Sequence, residues 1–96
     1  MALLDPDVVL RADPAAVATG APTEVHGSAA VAETFAGRAK AARPALVGGD
    51  VGLVWAPGGT PRVAFALSFG PDSIVGIELF ADPESLELLD PVLLPT

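Results

Sequence analysis

Hydrophobic and polar positions change period along this chain, and the changes mark its elements. Over residues 8–13, Val8, Leu10 and Ala12 alternate with Val9, Arg11 and Asp13. That two-residue period predicts a strand. Asp5-Pro6-Asp7 punctuates the chain just before it, and residues 14–22, with two prolines and Gly20, read as a loop. Residues 24–26 are a short strand candidate. From 28 to about 42 the period lengthens: Val31, Phe35 and Ala39 recur at i, i+4 and i+8, with Ala32 and Ala36 beside them and no proline. This predicts a helix that lays small residues and one large anchor, Phe35, on a neighbouring surface. Arg43-Pro44 ends it, because a residue before proline disfavours the helical region.

Beyond the helix the period returns to two. Residues 45–47 and 51–56 read as strands around Gly48-Gly49-Asp50, and 57–61 is a tight connection. Residues 62–69 set Val63, Phe65, Leu67 and Phe69 against Arg62, Ala64, Ala66 and Ser68. Large residues on one side and small or polar ones on the other predict a half-buried strand. A turn at 70–73 leads to a last long strand over 74–81. Such short turns favour antiparallel pairing of sequence neighbours. Asp82-Pro83-Glu84 then starts a helix: Asp82 can cap, Pro83 suits the first turn and Glu84 suits the positive end of the dipole. Asp90-Pro91 stops it near Leu89, leaving an apolar tail over 92–96. The expectation is one α+β domain, residues 1–96, built as a curved antiparallel sheet with a packed helix.

Composition narrows the function. The chain has 96 residues, 51% hydrophobic and only 18% charged. So small a domain has much surface for its volume, and the surplus apolar area calls for a partner; a homodimer is expected. The net charge is −7. That repels phosphate backbones and anionic headgroups, and the five basic residues form no patch interleaved with aromatics. Neither nucleic acid nor membrane is an expected partner. There is no cysteine. Thiolate catalysis and thiolate zinc sites are therefore excluded, and the fold depends on packing, as suits a reducing cytoplasm.

Three segments in this order carry a resemblance. Leu-Leu-Asp-Pro-Asp-Val-Val-Leu-Arg-Ala-Asp (3–13), Glu-Val-His-Gly-Ser-Ala-Ala-Val-Ala (24–32) and Ile-Val-Gly-Ile-Glu-Leu-Phe-Ala-Asp-Pro-Glu-Ser-Leu (74–86) resemble a SnoaL-like domain of the nuclear-transport-factor-2-like superfamily, a conical α+β fold. The nearest likeness is to the C-terminal domain of extracytoplasmic-function sigma factors, whose Asp/Asn-Pro-x-x-Leu ending is matched by Asp82-Pro83-Glu84-Ser85-Leu86. Two departures stand out. Relatives begin with one or two helices ahead of residue 3, and these sigma factors carry two helical regions upstream; none of these is in the sequence, so the domain is expected to be truncated at its N-terminus. Asp13-Pro14-Ala15-Ala16 also stands where sigma-linked relatives carry a glycine-rich run. The resemblance implies a regulatory or interaction module that modulates a sigma factor, with sigma helical domains or RNA polymerase as partners and a small apolar ligand in the cone. The alternative is a small isomerase, cyclase or dehydratase acting on an apolar substrate.

Each candidate residue has a plainer reading beside the functional one. In steroid-isomerase relatives an Asp at a position similar to Asp13 is the general base; the plainer role is a turn or cap before Pro14. The oxyanion partner usual in those relatives is a tyrosine, and this chain has none. His26, the single histidine, is an acid/base candidate or an edge residue, and one histidine without cysteine makes no metal site. Arg11 and Glu78 are charges inside strands that can line a cavity, pair with each other, or lie on a solvated face. Trp55 and Phe80 are anchors for a core or an interface. Ligand or interdomain contacts are expected from Arg11, Asp13, Trp55, Glu78, Asp82, Pro83 and Leu86. No cofactor is expected, because Gly48-Gly49 and Gly58-Gly59 precede no helix and make no phosphate loop.

Overall fold

A computed structural model describes residues 3–38 and 41–94. Seven strands and three helices follow in the order β1 (Leu3–Ala12), α1 (Pro14–Ala18), β2 (Glu24–His26), α2 (Ser28–Arg38), β3 (Arg43–Val47), β4 (Asp50–Trp55), β5 (Val63–Phe69), β6 (Ser73–Phe80), α3 (Pro83–Leu89) and β7 (Val92–Leu93). A one-turn 3-10 segment at Pro57–Gly59 joins β4 to β5. The strands form one curved sheet in the order β2-β1-β6-β5-β4-β3-β7. The α+β class is as the periodicity predicts.

The sheet is mixed rather than wholly antiparallel. The turns after β3, β4 and β5 make the antiparallel meander β3-β4-β5-β6. β1 instead lies parallel to β6, with Leu10 beside Ile77 and Ala12 beside Leu79. Turn chemistry governs only strands that follow each other, and this pair is far apart in sequence. β1 also starts earlier than its alternation suggests. Leu3 and Leu4 pair with Ser73 and Ile74, and the register slips between Leu4 and Val9. Pro6 gives the ladder no N–H, and the Asp7 N–H donates to the Asp5 carboxylate at 2.8 Å. Asp5-Pro6-Asp7 is thus a bulge inside the strand, not a boundary before it.

The two faces of the sheet carry separate cores. On the inner face, Val8, Leu10, Phe65, Ile77 and Leu79 are buried with Val31 of α2. Phe35 meets Phe65 edge-to-face, ring centres 5.5 Å apart at 84°, a geometry that suits the aromatic quadrupoles. Ala32 and Ala36 face water, so the buried stripe of α2 is narrower than its spacing suggests; Ala39 and Lys40 lie outside the described residues. On the outer face, α3 lays Leu86 and Leu89 over Ala45, Val47, Val54 and Ala64. The small side of β5 is therefore covered rather than solvated: Ala64 is as buried as any residue of the core. Gly52 belongs to the same close approach. A Cβ there would sit 2.5 Å from the carbonyl oxygen of Phe65.

Candidate functional site

The inner face is not filled along its whole length. Between α1 and α2 on one side and the ends of β4, β5 and β6 on the other, an open cavity of about 1120 Å³ remains. Trp55, Val63, Phe65 and Leu79 form its sheet wall, and Ala15, Ala16 and Thr34 line the helical side. Its polar side chains are few. The Thr19 hydroxyl donates to the Ala16 carbonyl at 2.7 Å, and the Thr34 hydroxyl to the Ala30 carbonyl at 2.9 Å. Arg62 is the one ionisable group lining the cavity among the described residues. The alternation over residues 62–69 marks Arg62 only as a polar position on the side opposite Val63 and Phe65. Its place follows from the hairpin: the Arg62 N–H donates to the Trp55 carbonyl at 2.8 Å, which holds the two residues beside each other, and both line the cavity.

Asp13 lies beside the cavity without lining it. It caps α1 by accepting from the Ala16 N–H at 2.7 Å. Its other oxygen accepts from the Ala81 and Asp82 N–H groups at 2.9 and 3.0 Å. One half-buried carboxylate thus fastens the end of β1, the start of α1 and the junction between β6 and α3. Pro14 donates no hydrogen bond and fits the first turn, so a five-residue helix stands where the sequence read as loop. Asp82 is the next link. Its carboxylate accepts from the Ser85 N–H at 3.0 Å and from the Ser85 hydroxyl at 3.1 Å. Pro83 is exposed in the first turn of α3, and Leu86 is half-buried in the outer core. The fold thereby joins Asp13 to the Asp82-Pro83-Glu84-Ser85-Leu86 segment.

The other candidates sit elsewhere. Arg11 is opposite Glu24 across β1 and β2 and beside Glu78 across β1 and β6. Arg11 Nε lies 3.8 Å from a Glu24 oxygen, and His26 Nε2 lies 2.6 Å from the other. All of these side chains are exposed on the outer face or its edge, away from the cavity. Phe80 is half-buried and packs in the outer core. Among the described residues no group of three acidic or histidine side chains is placed to hold a metal ion. No described helix is long and apolar enough to cross a membrane.

No family model and no curated protein sequence matches the chain. Among solved structures, the crystal structure of the Mycobacterium tuberculosis extracytoplasmic function sigma factor SigJ is similar, with a TM-score of 0.65 and 26% identity. The match covers 88% of this chain and 36% of SigJ, so this chain spans about a third of the length of that protein.

Proposed function

We propose that this chain is a regulatory docking domain, a SnoaL-like module of the kind found at the C-terminus of extracytoplasmic-function sigma factors. The observation that carries this reading is the likeness to SigJ along 88% of the chain. The Asp13–Asp82 connection supports it, because it holds the first-strand end and the Asp-Pro-x-x-Leu segment together as one surface. On this reading the domain packs against the sigma helical regions, tunes their contacts with RNA polymerase, and works in the cytoplasm with them. A small molecule in the cavity would bias docking by its different affinity for the docked and free arrangements. A second copy of the chain is the other partner, through the outer face of β1 and β6.

The enzyme reading has less support. An isomerase or cyclase needs an acid or base in its cavity wall, and the described wall offers only a guanidinium. Asp13 is spent on three backbone N–H groups, and His26 is on the outer edge.

Titrating the two helical regions of such a sigma factor with this chain tests docking. Saturable binding is expected, weakened by about tenfold in the Asp82→Ala, Leu86→Ala double variant. Glu84→Lys, an exposed change that leaves the cap and core intact, is expected to weaken it as well. No binding by the parent chain, or binding by both variants as tight as the parent's, defeats the reading.

A further inference from the structure

The donors and acceptors that the cavity wall presents are unbalanced. Four of its described lining side chains carry a hydrogen-bond donor: Thr19, Thr34, Trp55 and Arg62. Both threonine hydroxyls give their proton to carbonyls of their own helical segments. That leaves the indole N–H and the guanidinium, neither of which has a side-chain hydrogen bond or ion pair among the described residues. Neither group can accept a hydrogen bond, and no carboxylate lines the cavity. The chain carries 12 acidic and five basic residues. Arg62 is exposed, so water solvates it in the free chain, yet it is the single charge lining this largely apolar cavity in a chain where acids outnumber bases. A ligand entering beside the guanidinium and the indole gains most by bringing acceptors and negative charge.

We propose that the cavity binds an amphipathic organic anion: an apolar body against Phe65, Val63 and Leu79, and a carboxylate or sulfonate at the rim held by Arg62 and the Trp55 indole. Guanidinium is the side chain best matched to a planar or branched anion, because its donors form a fixed fork. The cavity, about 1120 Å³ and open to solvent, has room for an apolar body of two fused or linked rings or a long chain. The inference deepens the cavity part of the reading above and does not depend on sigma docking.

Two dyes of the same shape test it: anilinonaphthalene sulfonate and its uncharged analogue N-phenylnaphthylamine, titrated into the full chain. Trp55 is the single tryptophan, so energy transfer from it reports dye bound to the chain, and the cavity variants Arg62→Gln and Thr34→Phe assign that dye to this cavity. The sulfonate is expected to bind about tenfold tighter than the neutral dye, the worth of a charged hydrogen-bonded contact. Its advantage should shrink as salt rises, because the rim is exposed. Arg62→Gln is expected to bring the sulfonate down to the neutral dye and leave the neutral dye within about twofold. Arg62→Lys should keep part of the difference. Thr34→Phe, which narrows the cavity from α2, should weaken both dyes alike. The proposal is overturned if the neutral dye binds as well as the sulfonate, if Arg62→Gln leaves their ratio unchanged, or if neither dye binds. Because the chain is used alone, these outcomes are independent of whether it docks on a sigma factor.

Discussion

Asp13 receives two of its three N–H donors from residues 68 and 69 positions away. No other side chain among the described residues accepts hydrogen bonds from backbone so distant in sequence. Asp13→Asn tests the tie with almost no change in shape. The amide keeps one acceptor oxygen and turns an NH2 toward donors that need acceptors. A loss of about 1–3 kcal/mol is expected, read as a lower urea midpoint at constant slope. Asp13→Ala should cost at least as much, since the α1 cap goes with it. An Asn variant as stable as the parent would mean that the carboxylate is incidental. The capping half of this role was open to sequence reading: Asp13-Pro14 has the same chemistry as Asp82-Pro83, which reads plainly as a helix start. A helix of five residues between two prolines leaves no period to detect, so the pair reads as a turn. The bonds to Ala81 and Asp82 had no local signal, and neither did the place of Arg62, which depends on how β4 and β5 fold onto each other.

At the scale of elements, long periodic segments were legible and pairings between distant ones were not. The alternation in β5 and β6 and the i, i+4 spacing in α2 mark real buried positions: Phe65, Ile77, Leu79 and Val31. A period says which residues share a face and is silent on what covers the other face. The alanines of β5 look like a solvated side until α3 is seen lying over them. Two glycines separate tight packing from loose. Gly52→Ala puts a methyl 2.5 Å from the Phe65 carbonyl and 3.1 Å from Val47. It should cost about 1–3 kcal/mol or more, since backbone must move. Gly76→Ala meets only Ser68 and Val9 atoms at 3.5 Å and beyond. That is ordinary contact, and the stiffer unfolded chain should leave the variant neutral or up to about 1 kcal/mol more stable. Thermal or urea unfolding of the pair distinguishes them; equal effects would mean that the β4–β5 approach is looser than drawn. Phe35→Ala adds a third reading. It removes the edge-to-face contact with Phe65 and should cost about 2–4 kcal/mol, somewhat less than a fully buried phenylalanine, because Phe35 keeps part of its surface in water.

For the whole molecule, the second core changes how the apolar composition is read. Much of the hydrophobic surplus is housed under α3, inside one copy of the chain, so composition alone no longer demands a partner. The most exposed large apolar groups, Leu88, Val51, Phe69 and Val92, are scattered over α3, β4, β5 and β7; what still argues for a partner is a single strip of the outer face. α3 covers the β3–β5 side of the outer face and leaves β1 and β6 open, where Val75 is 40% exposed and Val9 is half-buried. Arg11 and Glu78 sit side by side there in register. A two-fold axis between the strands would set Arg11 against Glu78 of the partner subunit, and Glu78 against the partner's Arg11, which makes the strip self-complementary despite the net charge. Sedimentation at micromolar concentration is therefore expected to give a dimer. Arg11→Glu should dissociate it by opposing like charges, and the exchange of both signs, Arg11→Glu with Glu78→Arg, should restore it. Val75→Asp should dissociate it without loss of fold, since that side chain already touches water. A parent chain that sediments as a monomer, or a dimer indifferent to all three variants, would leave the outer strip as ordinary surface, and would assign the open apolar groups to a different polypeptide.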